Sequence, residues 1–180
     1  MTAIDFTKLS IAELAALVNQ KFIEHKIKSV LVGGACVTIY SNNRYLSYDL
    51  DFVTAEIGEK VKNALAELGF ERKGKYFARP DCLYVVEFVS PPVAVGEQLI
   101  QKFKTLRTPF GQITLLTPTD CIKDRLASFF HWNDTQSLEQ AILVLQDQKI
   151  DLEEIKRWAK AENCLDKLKK FMKIAKKFQK

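Results

Sequence analysis

Two aspartates one residue apart, Asp49 and Asp51, stand in the segment Tyr48-Asp49-Leu50-Asp51-Phe52-Val53, where apolar and acidic side chains alternate. Alternation with period two predicts a strand over 48–54. On a strand, residues i and i+2 project to the same side, so both carboxylates share one face. Side by side they repel each other, and each loses hydration when buried. A cation between them relieves both costs. Mg²⁺ suits the place, because it takes oxygen ligands and leaves positions open for phosphate oxygens and water. The simpler alternative is a pair of solvated acids on a strand edge.

Upstream, Lys28-Ser29-Val30-Leu31-Val32 reads as a buried strand, stopped by Gly33-Gly34 and followed by a short helix over 35–41. Two glycines at a strand-to-helix turn let the backbone approach a ligand closely and aim its amides at it. They also serve a tight turn that binds nothing. Strand, glycine pair, helix and acid-bearing strand in that order carry more information than either half.

The segment VGGACVTIYSNNRYLSYDLDFV resembles the signature of the nucleotidyltransferase superfamily that includes DNA polymerase β. Within it, the chain is most similar to the minimal nucleotidyltransferases and the AbiEii-type toxin nucleotidyltransferases. The resemblance implies an α+β fold: a mixed β-sheet with helices on one face, followed by a C-terminal helical bundle. It also implies transfer of a nucleoside monophosphate from a nucleoside triphosphate to a hydroxyl acceptor (RNA, protein or small molecule), with release of pyrophosphate. Asp49, Asp51 and Glu87 would hold two Mg²⁺ ions. Gly33, Gly34, Arg44 and Ser47 would bind the nucleotide, and ATP is one candidate. Lys123, on a later helix, would face the cleft and meet the triphosphate, and Asp134 would match an acid at the start of the next helix. The toxin resemblance adds a possible antitoxin partner. Read without the resemblance, Glu87 is an exposed strand end, Lys123 a solvated lysine and Asp134 a helix cap.

Other elements must position these residues. Ile11, Leu14, Ala15, Val18 and Phe22 recur at helical spacing over 8–25, and Ile57, Val61, Ala64, Leu65 and Leu68 do so before Gly69. Residues 75–79 and 83–89 predict a hairpin around Arg79-Pro80-Asp81, and 103–108 and 112–116 another around Pro109 to Gly111. Thr117-Pro118-Thr119-Asp120 is a helix start, with a cap, a proline in the first turn and an acid three residues on. Helices then follow over about 135–147, from Asp151, and over about 164–178. The order places a nucleotidyltransferase core at 1–116 and a helical region at 117–180. His25, His131, Trp132 and Trp158 read as surface or packing residues, both tryptophans as core.

Hydrophobic residues make up 47% of the 180, enough for a packed core rather than disorder. No run approaches the ~20 apolar residues of a membrane span, and the first ten residues show no signal core. The expectation is a cytoplasmic protein with four reduced cysteines, none in a CxxC pair. Residues 161–180 hold seven lysines and two acids, which account for the whole net charge of +5. That basic tail is either a solvated helix face or a guide for a polyanionic acceptor such as RNA. Two rivals to an enzyme follow: a non-catalytic nucleotide- or RNA-binding protein on the same fold, and an RNA-binding helical module.

Overall fold

Ser10 and Glu13 close a capping box on helix α1 (Ile11–Glu24), the Ser10 hydroxyl accepting from the Glu13 amide while the Glu13 carboxylate accepts from the Ser10 amide. The computed structural model describes residues 4–56 and 58–178. Ile57, placed by its spacing in the second helix, lies outside the described residues. After α1 come strand β1 (Val30–Val32), helix α2 (Gly33–Tyr40), strand β2 (Asp49–Val53) and helix α3 (Glu59–Ala66).

Three strands follow: β3 (Glu71–Lys73), β4 (Tyr76–Ala78) and β5 (Val85–Val89). Strand β3 is absent from the sequence reading because its residues, Glu71-Arg72-Lys73, are all charged and exposed and show no apolar alternation. Its pairing with β4 around Gly74 makes it a strand. The short hairpin of β6 (Ala94–Val95) and β7 (Gln98–Leu99) was also not anticipated. Trp158 pins it by donating its indole N–H to the Val95 carbonyl at 3.2 Å. Strands β8 (Phe103–Thr108) and β9 (Gly111–Leu116) form the expected hairpin.

The seven-stranded sheet runs β3-β4-β5-β2-β1-β9-β8. It is mixed: β2 is parallel to β5 and β1 to β9, while β1 and β2 are antiparallel. Phe52 and Phe88 meet Phe22 of α1 with ring centroids 5.4 and 6.0 Å apart, which commits that face of β2 and β5 to the core. By alternation, Asp49, Asp51 and Glu87 lie on the opposite face.

Beyond the sheet, Thr117 caps α4 (Pro118–Trp132) with Pro118 in the first turn. Asp134 caps α5 (Thr135–Asp147) and Asp151 caps α6 (Leu152–Ala161), and the chain continues into α7 (Leu165–Ala175). Buried apolar residues form one continuous core from Phe6 to Ala175. Among the described residues no helix is long and apolar enough to cross a membrane. All four cysteines are free. One expectation fails outright: Trp158 is 4% exposed, but Trp132 is 77% exposed. It ends α4, where the helix has run past the core it packs on.

Candidate active site

Strand register builds the acidic face. In the parallel β2–β5 pair, Asp51 stands opposite Glu87 and Asp49 opposite Val85, so Asp51 and Glu87 are lateral neighbours with side chains on one side. Across β1, Asp51 pairs with Val32, which brings the strand-to-helix turn alongside. Gly33 takes φ +70°, a conformation open to glycine at no steric cost. A Cβ there would stand 2.6 Å from the Asp51 Oδ2, so the turn closes on the carboxylate only because Gly33 has no side chain. A Cβ on Gly34 would meet the Ser47 Oγ at 3.0 Å. Ser47 is buried; its amide donates to the Thr38 hydroxyl at 2.9 Å, and its own hydroxyl accepts from the Asp49 amide at 3.3 Å. The glycine turn, Ser47 and the two aspartates therefore form one unit.

Charge in this unit is unbalanced. Burial, with the negative charges of Asp49 and Glu87 adding to it, pushes the Asp51 carboxyl up to about 6 from its ordinary 3.8. Arg125 of α4 opposes the shift and Asp124 adds to it, so α4 lies within electrostatic reach of Asp51. The Arg125 Nε donates to the Asp124 Oδ2 at 3.1 Å and its Nη1 to the Gln140 Oε1 at 3.3 Å, which holds the guanidinium between α4 and α5.

The folded protein keeps the Asp51 proton to a higher pH than the unfolded chain does. Stability from that proton is present below about pH 4 and is lost as pH rises through about 6. Asp51→Asn loses nothing over that interval. Without divalent metal, the variant should therefore gain on the parent between pH 4 and pH 7 by up to roughly 2 kcal/mol, read from urea unfolding at both pH values. An unchanged difference would show that Asp51 is not strained by its neighbours.

Two other candidates, Lys123 and Arg44, have partners away from the acids. Lys123 does not face this cluster. Its side chain is 0% exposed, and its amine sits 2.6 Å from Asp120 and 2.8 Å from Glu154 while donating to Gln98 at 3.0 Å. Residues two apart on a helix point about 200° apart. With Lys123 turned to α6 and the β6–β7 hairpin, Arg125 is turned the other way. The family resemblance points to Lys123 and carries no signal for Arg125. Only the rotation of α4 distinguishes the two.

Arg44 is likewise engaged elsewhere. It pairs with Asp147 at 2.8 Å, donates to the Leu143 carbonyl at 3.0 Å and bonds Gln146, tying the loop before β2 to the end of α5. Arg44→Ala should cost up to about 1 kcal/mol of stability, as expected for a partly exposed pair, with nucleotide affinity unchanged in a calorimetric titration. A clear loss of affinity would return Arg44 to the site. Asp134 accepts from the Gln136 and Ser137 amides, which is the capping role. Glu87 lies 3.6 Å from the Lys75 amine, with Lys75 extended into solvent. His25, at the end of α1, pairs with Glu67 at 2.7 Å.

The fold is that of nucleotidyltransferase-like proteins. The crystal structure of an antigenic nucleotidyltransferase-like protein from Paracoccidioides brasiliensis superposes with a TM-score of 0.52 at 16% identity, over 75% of each chain. The solution structure of the antibiotic-resistance factor ANT(2'')-Ia superposes with a TM-score of 0.53 at 12% identity, over 93% of this chain and 97% of that one. No family model and no curated protein sequence matches the chain.

Proposed function

We propose that this protein is a metal-dependent nucleotidyltransferase, moving a nucleoside monophosphate from a nucleoside triphosphate to a hydroxyl acceptor. The observation that carries the reading is the closure of the Gly33 turn on Asp51, beside a second carboxylate on the same strand face. A chain with no use for that arrangement gains stability by losing it.

The residues suit Mg²⁺. Two carboxylates share one side, a glycine leaves space at Asp51, and the Asp51 ionisation is disfavoured without a cation nearby. As they lie, no three acidic, histidine or cysteine side chains among the described residues close around a common point. Asp49 and Asp51 are therefore the principal ligands, and Glu87 would join by releasing Lys75. When bound, the ion neutralises charge on the phosphates and lowers the pKa of the acceptor hydroxyl.

The chain's own groups supply the rest. Amides of the Gly33-Gly34 turn and the α2 N-terminus would donate to phosphate oxygens. The acceptor oxygen bonds to the α-phosphorus, the bridging oxygen–phosphorus bond to the β-phosphate breaks, and pyrophosphate leaves. The acceptor proton passes to a carboxylate of the cluster. Arg125, in place of Lys123, is the cation positioned to offset charge near Asp51. Incubation with each α-labelled nucleoside triphosphate and Mg²⁺ tests the reading. Label should move to an acceptor with pyrophosphate release in step. Triphosphate binding without either would establish the non-catalytic alternative.

A further inference from the structure

Trp132 is a large apolar side chain left in solvent, and its surroundings are cationic. Its neighbour Asn133, in the left-handed conformation that ends α4, accepts at its Oδ1 from the Lys167 amine at 2.9 Å. The same amine bonds the Phe130 carbonyl. The head of α7 is thereby fastened beside Trp132. From Lys167, the residues Lys170 and Lys173 follow at offsets of three and six along one side of α7, and Lys177 continues the stripe in the turn just past its end. Lys170 lies over the Phe129 ring at 5.6 Å, which orients the stripe towards α4. Among the described residues none of these four lysines makes a salt bridge, whereas Lys169, off the stripe, pairs with Asp166 at 2.6 Å.

Trp132 also has a fixed relation to the candidate active site. It is seven residues beyond Arg125 on one helix. Seven residues make almost two whole turns, so both side chains leave the same side of α4, roughly 10 Å apart along its axis. Arg125 is the cation on α4 whose charge acts on Asp51. Along α4 the order is therefore Arg125, then the exposed indole of Trp132, then, fastened at the end of the helix, four lysines with no acidic partner among the described residues.

We propose that Trp132 and the Lys167–Lys177 stripe form a binding platform for single-stranded nucleic acid, the indole stacking on a base and the lysines following the backbone. Every base has a face on which an indole can stack, and each phosphate offers a counter-charge that the stripe lacks internally. A duplex fits poorly, because its bases are already stacked. That the bound strand is the acceptor, its terminal hydroxyl directed along α4 to Asp49 and Asp51, rests on the nucleotidyltransferase reading. The platform itself does not.

The test is binding without nucleoside triphosphate or metal, so it is independent of turnover. Fluorescein-labelled twelve-residue oligouridylate, oligothymidylate and a twelve-base-pair duplex are titrated by anisotropy at several salt concentrations. Both single strands should bind more tightly than the duplex, the tighter of the two identifying the preferred sugar. The log–log salt slope should be about −3 for four phosphates neutralised. Trp132 is the exposed one of two tryptophans, so its emission should be quenched while buried Trp158 is not. Trp132→Ala should weaken binding about 5- to 100-fold, and Trp132→Phe should restore most of it. Changing Lys167, Lys170, Lys173 and Lys177 to Gln should flatten the salt slope. Equal affinity for the duplex, or unchanged affinity in Trp132→Ala with an unchanged melting temperature, overturns the proposal. Oligonucleotide binding with no transfer activity would leave the platform standing and remove the transferase.

Discussion

Asp49→Asn and Asp51→Asn should each lower nucleotide transfer by at least ~10²-fold, the scale of losing a principal electrostatic stabiliser of the transition state. Asparagine keeps the shape of the side chain and removes the charge that would hold a divalent cation. The loss should appear in kcat, and raising Mg²⁺ should not restore it. Folding should survive, because Asp51 is repelled by Asp49 and Glu87 and gains nothing in stability from its own charge. Circular dichroism and a melting curve separate the two effects. Wild-type turnover in both variants would show that the acid pair does not carry the chemistry.

Lys123→Met should destabilise the protein by about 3 kcal/mol, corresponding to a fall in melting temperature of about 6–12 °C for a chain of this size. The buried amine is the shared partner of Asp120 and Glu154, and its removal leaves Asp120 charged with no cation against it. The figure sits at the low end of the usual range because the Glu154 side chain is 37% exposed and can recover water. Triphosphate affinity, measured well below the melting point, should be unchanged. Loss of affinity with an intact melting temperature would place Lys123 in the cleft after all. An ion cluster at this position joins α4, α6 and the β6–β7 hairpin, so its role is to hold the helical region to its own small hairpin.

Much of the site was legible because its parts are close in sequence and each has a local rule. Period-two alternation put Asp49 and Asp51 on one face, and the structure keeps them there. The strand–glycine–helix order around Gly33-Gly34 needs only local geometry, and so do the helix starts at Thr117, Asp134 and Asp151. Glu87 is named by the resemblance alone, and the parallel register sets it opposite Asp51. What escaped was of two kinds. Strand β3 and the β6–β7 hairpin have no apolar period and exist through pairing with neighbours. Lys123 and Arg44 have partners far away in the chain, Glu154 and Asp147, and Trp132 is exposed because no distant element covers it.

The amino-acid sequence by itself determined the acid pair, the glycine turn, the helix starts and the basic character of the last helix, since spacing and local hydrogen bonding suffice for all of these. The tertiary structure decided which cation on α4 approaches the acids, and that a tryptophan stands in water at the head of a lysine stripe. The physical reason is rotation. A helix pattern shows which side is apolar, but not which neighbour each remaining side meets. On α4, two residues of sequence separate Lys123, buried against Glu154, from Arg125, whose charge reaches Asp51.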